Sequence, residues 1–163
     1  MNLRQVISSE FEVIFDILHE NAKWLSRKNI IQWPLDWLQS KRQEVKSSID
    51  FGAYYAIDID DEIAAIVEIK TDPEEVWGND CTLALYVHKL AIRRKYANQN
   101  LGCMILKLIE KDATQRGVKY LRLDCVAHNA KLRQYYESYG FMLKSVVNVS
   151  EVNLALYEFK VES

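Results

Sequence analysis

The stretch LAIRRKYANQNLGCMILKLIEKD, Leu90 to Asp112, holds the residues best suited to gripping an anion. An apolar strand runs into Arg93, Arg94 and Lys95, breaks at Asn98, Gln99 and Asn100, and enters a helix through Leu101, Gly102 and Cys103. A helix N-terminus leaves about four backbone N–H groups unpaired and carries roughly half a positive charge. A phosphate placed there gains hydrogen bonds and dipole energy, provided no side chain blocks its approach. Gly102 is expected to supply a positive φ and close contact. Asn98 and Asn100 are expected to share that duty, since asparagine enters the left-handed region more readily than most residues. The three cations would add charge-assisted contacts to a pyrophosphate or sugar phosphate. The competing reading is an ordinary strand-to-helix connection with a solvated basic edge. Upstream, His88 is the titratable side chain best suited to proton transfer near neutrality, with a reference pKa of about 6.5. Glu68, on the preceding strand, is its rival. A histidine satisfied within the sheet and a solvated carboxylate are the plainer alternatives.

These residues need a scaffold, and the composition bounds it. At 163 residues, one domain spanning 1–163 is expected, able to bury about 70% of its unfolded surface. Apolar residues make up 49% and charged residues 27%, with a net charge of −2, so bulk electrostatics give no reason to expect nucleic acid or an anionic membrane as partner. Cys81, Cys103 and Cys125 lie far apart in apolar runs, which predicts buried free thiols in a reducing compartment. No apolar run approaches the length of a transmembrane helix, and MNLRQVISSEFE carries acidic residues unlike a signal peptide. A cytoplasmic location is the expectation.

With 5 glycines and 2 prolines, chain punctuation is sparse, so each turn signal separates elements. Ser9 and Glu12 have capping-box spacing, and Phe11, Ile14, Phe15, Leu18, Ala22 and Leu25 hold the period of an amphipathic helix over about 10–26. Pro34 suits the first turn of a second helix running to about Ser47. GAYYAIDI and EIAAIVEIK form two strands turning at Asp60-Asp61, and TLALYVHKLAI a long third one. The helix after the Asn-rich loop carries Leu101, Met104, Ile105, Leu108 and Ile109 and ends at Gly117. VKYLRLDCV alternates as a strand. NAKLRQYYESYGF is a short helix capped by Asn129, with Leu132, Tyr135, Tyr136 and Tyr139 on one face and Gly140 at its end. FMLKSVVNV and NLALYEFKV make a terminal antiparallel pair. The class is α+β: a mixed, mostly antiparallel sheet of about seven strands flanked by about four helices.

From Leu90 to Phe141 the chain resembles the GNAT superfamily, the acyl-CoA-dependent N-acetyltransferases. The order of strand, pyrophosphate loop, helix, strand, Asn-capped helix with a tyrosine, and Gly-Phe matches without a gap. RGVKYLRLDCVAHNAKLRQYYESYGF and YVHKLAI carry the likeness most strongly. The loop departs from the family's pattern. Aligned on Gly102, Ala97 stands where Arg or Gln is usual, and Asn98 and Asn100 stand at positions often occupied by glycine.

The resemblance implies a three-layer GNAT-like sandwich and transfer of an acetyl group from acetyl-CoA, as cosubstrate, to an amine. It implies no metal and no covalent enzyme intermediate. Ala97, Asn98, Gln99, Asn100, Leu101, Gly102 and Cys103 would form the pyrophosphate cradle. The main chain of Leu90, Ala91 and Ile92 would pair with the pantetheine amides and polarise the thioester where the sheet splays. Asn129 and Arg133 would contact the cofactor, although Asn129 is equally explained as a helix cap. Tyr136 matches the general acid toward the departing thiolate, against the alternative that it belongs to a buried aromatic stripe. Direct transfer also needs a base for the ammonium, for which His88, or Glu68 acting through water, is the candidate. Tyr86 would line the pocket. Trp24, Trp33, Trp37 and Trp77 with Asp72, Glu74, Glu75 and Asp80 would form an aromatic, acidic mouth for a cationic small molecule, with a peptide N-terminus or lysine left open. Two other readings stay open, a CoA-binding sensor without turnover and an interaction module without a CoA site. A homodimer through the terminal strands also stays open.

Overall fold

The computed structural model describes residues 1–163. Along the chain come β1 (Arg4–Gln5), α1 (Phe11–Arg27), α2 (Leu35–Ser40), α3 (Arg42–Asp50), β2 (Tyr54–Ile59), β3 (Glu62–Lys70), β4 (Ala84–Ile92), α4 (Leu101–Gln115), β5 (Tyr120–Val126), α5 (Ala130–Tyr139), β6 (Met142–Val149) and β7 (Val152–Lys160). The strand order is β1-β2-β3-β4-β5-β7-β6. The β4–β5 pair is parallel, and β1–β2, β2–β3, β5–β7 and β6–β7 are antiparallel. The α+β class and the mixed seven-stranded sheet are as expected. The helices number five rather than four. The chain divides into two compact units, residues 1–69 with 89–108, and residues 70–88 with 109–163.

In the first unit, the apolar stripe of α1 buries Phe11, Ile14, Phe15, Leu18 and Ala22 against Leu38, Val45, Ile49, Tyr54 and Ile66. The expected Ser9–Glu12 capping box does not form. A 3₁₀ turn over Ser8–Glu10 precedes the helix, and the Glu10 carboxylate accepts the Ile7 N–H at 3.0 Å. Arg4 holds that carboxylate at 2.8 and 3.0 Å and lowers its pKa through this hydrogen bond, while Glu12 is drawn instead to Arg42 at 2.6 Å. The single second helix expected from Pro34 onward is two. The break falls at Lys41 (φ −92°, ψ 1°), where the Ser40 hydroxyl turns back to the Trp37 carbonyl at 2.5 Å, a local bond that competes with the helical ladder. Asp60 (φ 50°) and Asp61 (φ 61°) close the β2–β3 hairpin with both central residues left-handed, the twist that matches paired strands.

In the second unit, β7 is paired on both sides, while β6 forms an edge with Met142, Val146 and Val149 exposed. Ser150 (φ 49°) and Glu151 (φ 69°) make the β6–β7 turn. Asn129 caps α5 by accepting the Leu132 N–H at 3.3 Å. Of the expected stripe on α5, only Tyr136 is fully buried, and Tyr135 is 37% exposed. Tyr136, Tyr139, Phe141 and Phe159 stack with ring centroids 5.4–5.8 Å apart. The three cysteines are free, but only Cys125 is buried; Cys81 is exposed and Cys103 half-buried. Burial pushes the Cys125 thiol up to about 11, so it is an inert core residue.

Candidate active site

In the first unit, the loop between β4 and α4 does what its asparagines predict, by a route that differs in one respect. Asn98 (φ 63°) and Asn100 (φ 61°) are both left-handed, whereas Gly102 has no positive φ and lies inside α4. The turn is therefore made by the asparagines, and the part left to Gly102 is a surface without Cβ in the helix's first turn. Met104 N–H bonds back to the Asn100 carbonyl at 3.2 Å. The N–H groups of Leu101, Gly102 and Cys103 open α4 and so have no partner within the helix. Successive free N–H groups after left-handed residues make an anion-binding concavity. Ala97, which precedes them, is extended (φ −63°, ψ 153°).

The three cations before the loop are not equivalent. Arg93 is held by Asp16 at 3.3 Å, Glu62 at 3.4 Å and the Ile63 carbonyl at 3.1 Å. Lys95 pairs closely with Glu62, which lowers the Glu62 carboxyl and raises the Lys95 ammonium, each chiefly through their hydrogen bond. Arg94 has no carboxylate partner for its side chain. Its guanidinium lies over Trp24, 3.9 Å from the ring centroid, and only its backbone N–H is tied, to Glu20 at 3.1 Å. Of the main-chain groups expected to meet pantetheine, Ala91 is buried in the core, and the Ile92 carbonyl already accepts the Asn21 amide at 3.0 Å.

Glu68 is not solvated. It is 1% exposed and holds Lys89 Nζ at 2.9 Å. Lys89 itself has φ 46° within β4, a conformation that costs a side-chain-bearing residue free energy. The kink interrupts the strand's alternation.

In the second unit, β4 and β5 pair only from Ala84↔Tyr120 to Tyr86↔Arg122. Val87 and His88 on one strand, and Leu123 to Val126 on the other, continue past the end of that ladder. His88 lies beyond it, its Nε2 in close contact with the Glu74 carboxylate, with side chains 20% and 23% exposed. Tyr136 packs its ring edge-on to Tyr135 and Phe141, and its hydroxyl makes no hydrogen bond within the chain. Burial foremost, then the nearby Cys125, Tyr135 and Asp124, raises its pKa above the ordinary tyrosine value. The phenol is thus kept protonated, the state a proton donor needs. Arg133 on the same helix is committed to the Tyr157 hydroxyl at 2.9 Å and the Ala127 carbonyl at 3.0 Å. In this structure it acts as a brace for α5.

Sequence reasoning missed Arg122 and Asp124. Arg122 is 2% exposed, pairs closely with Asp80, and donates to Glu158 at 2.8 Å and Tyr86 at 3.2 Å. The signal was available, since Arg122 and Asp124 alternate with Leu121, Leu123 and Cys125 and so share one strand face. Trp77 covers Arg122 at 4.7 Å, and the two join Asp80, Lys144 and Glu158 in lining a cleft of about 330 Å³. The expected aromatic, acidic mouth is largely consumed by the protein's own cations. Trp24 holds Arg94, Trp37 holds Lys41 and Trp77 holds Arg122, while Trp33 packs on the core.

A mixed seven-stranded sheet with a parallel β4–β5 pair, and an asparagine turn leading from β4 into α4, have the arrangement expected of an acyl-CoA-dependent acyltransferase. The acetyltransferase (GNAT) family model matches residues 18–141, and the chain belongs to that family of acyltransferase enzymes. Over 140 residues it is 29% identical to the uncharacterized N-acetyltransferase YesJ of Bacillus subtilis (strain 168), covering 83% of this chain and 78% of that one. A GNAT-family acetyltransferase from Listeria monocytogenes superposes with a TM-score of 0.83 at 23% identity, over 97% of this chain and 93% of the other. The PaiA N-acetyltransferase of Thermoplasma acidophilum, solved in complex with coenzyme A, gives 0.77 at 15% identity over 98% of both chains. No helix is long and apolar enough to cross a membrane.

Proposed function

We propose that the whole chain works as one cytoplasmic acetyltransferase domain that moves an acetyl group from acetyl-CoA directly to the primary amine of a small molecule. The observation that carries this reading is the start of α4, where two left-handed asparagines precede the open first turn of the helix. The amides of that turn would hold the pyrophosphate, with Arg94 as the cation available for a further phosphate. His88 would accept the ammonium proton. With Nε2 engaged by Glu74, Nδ1 is the nitrogen left to do so. The freed amine attacks the thioester carbon, the carbon–sulfur bond breaks, and Tyr136 gives its proton to the leaving sulfur; the surplus proton on the new amide nitrogen passes through solvent to the Tyr136 oxygen, so the products are an amide, the CoA thiol and the proton held by His88. Support for His88 over Glu68 comes from the latter's Lys89 ion pair and its 1% exposure, which leave it little access to an incoming amine.

The alternative, a chain that binds CoA without turnover, draws on Arg93 and Lys95 being spent on Asp16 and Glu62. Calorimetric titration with acetyl-CoA and with CoA lacking its 3′-phosphate, followed by turnover on a panel of small amines, separates the two. Binding near micromolar, about −8 kcal/mol, with turnover of at least one amine is expected. Binding without turnover across the panel would transfer support to the sensor, and no binding would overturn both.

A further inference from the structure

Glu74, His88 and Asp124 come from three distant points of the sequence: the segment before the Glu75–Trp77 turn, strand β4 and strand β5. Tyr86 pairs with Arg122, so two residues further along these parallel strands stand His88 and Asp124. One donor atom from each of the three lies within 4.8 Å of the others. Atoms so spaced share a centre within about 2.8 Å of each, and zinc takes imidazole nitrogen and carboxylate oxygen at about 2.0–2.2 Å. The distance to the shared centre is an upper bound, since Glu74 and His88 already touch. All three residues are partly exposed, which leaves an entry path and room for water as a fourth ligand.

Donor chemistry supports the same reading. One nitrogen and two oxygen donors suit borderline first-row ions better than magnesium or calcium, which favour all-oxygen shells.

We propose that Glu74, His88 and Asp124 form a site for one divalent ion of the zinc class. Metal ligation needs no acetyl transfer, so this site stands or falls separately from the enzymatic reading. Where His88 does serve as base, a bound ion takes its lone pair and holds the enzyme silent.

The test uses the full chain, stripped of metal with a chelator and titrated with Co²⁺. Cobalt is chosen because its spectrum distinguishes nitrogen and oxygen ligands from the thiols of Cys81 and Cys103. One equivalent is expected to bind at roughly micromolar affinity, without a thiolate charge-transfer band, and to raise the melting temperature. His88→Ala is expected to weaken binding about a hundredfold. Glu74→Gln, on a loop where folding is not at stake, should remove most of the melting shift. Absence of binding by the natural chain, a thiolate band, or unchanged affinity in both variants would overturn the site.

Discussion

The left-handed asparagines offer a quantitative test of the cradle. Asn98 and Asn100 sit at φ 63° and 61° and are exposed, so substitution there opens no cavity and disturbs little packing. The left-handed conformation costs an ordinary side chain about 1–2 kcal/mol, and asparagine less. Replacing both by valine adds about 1 kcal/mol at each position, about 2 kcal/mol in all, which corresponds to about 30-fold weaker binding. Replacing both by glycine keeps the conformation without penalty, and affinity should stay within about threefold of the natural chain. The assay is calorimetric titration of acetyl-CoA into the three proteins, with thermal melts run alongside to separate strain already carried without ligand from strain taken up on binding. If the double valine variant binds like the natural chain, the left-handed turn is not what presents the amides. If the double glycine variant loses binding, the asparagine side chains hold the ligand and the backbone argument fails.

Tyr136→Phe deletes a hydroxyl that makes no internal hydrogen bond, so stability should change by less than about 1 kcal/mol in urea denaturation, while the transfer rate falls; an unchanged rate would remove Tyr136 from the acid role. Because the pKa of Tyr136 is raised, loss of its proton should not limit the rate near the ordinary tyrosine pKa of about 10. A decline in rate there that disappears in Tyr136→Phe would refute this. The Tyr54 hydroxyl is buried without a partner, and burial, with Glu68 and Glu44 adding to it, raises its pKa well above 10. A raised folded-state pKa contributes stability that is present below the unfolded value and lost as pH rises toward the folded one. Stability measured by urea should therefore fall above about pH 10, less so in Tyr54→Phe, which at pH 7 should be as stable as the natural chain or more so by about 1 kcal/mol. Destabilisation by Tyr54→Phe at pH 7 would mean that the hydroxyl has a partner after all.

Element types and order were legible because they depend on short-range chemistry. The period of the α1 stripe, Asn129 as a cap, Gly117 at φ 67° and the turn at Asp60-Asp61 all follow from neighbours within a few residues. The left-handed loop was legible for the same reason, since asparagine's tolerance of that region is local. Where sequence reasoning misplaced a charged group, a remote partner had intervened. Arg4 claimed Glu10 in place of the Ser9–Glu12 box, and Arg93 and Lys95 were drawn to Asp16 and Glu62. A charge acts on whatever folding brings within a few ångströms, and sequence spacing carries no record of that distance. The same holds for Glu68 with Lys89, and for Glu74, His88 and Asp124. Their residue types are plain in the chain, but which carboxylate faces which cation or imidazole is settled by strand register and the path of one loop.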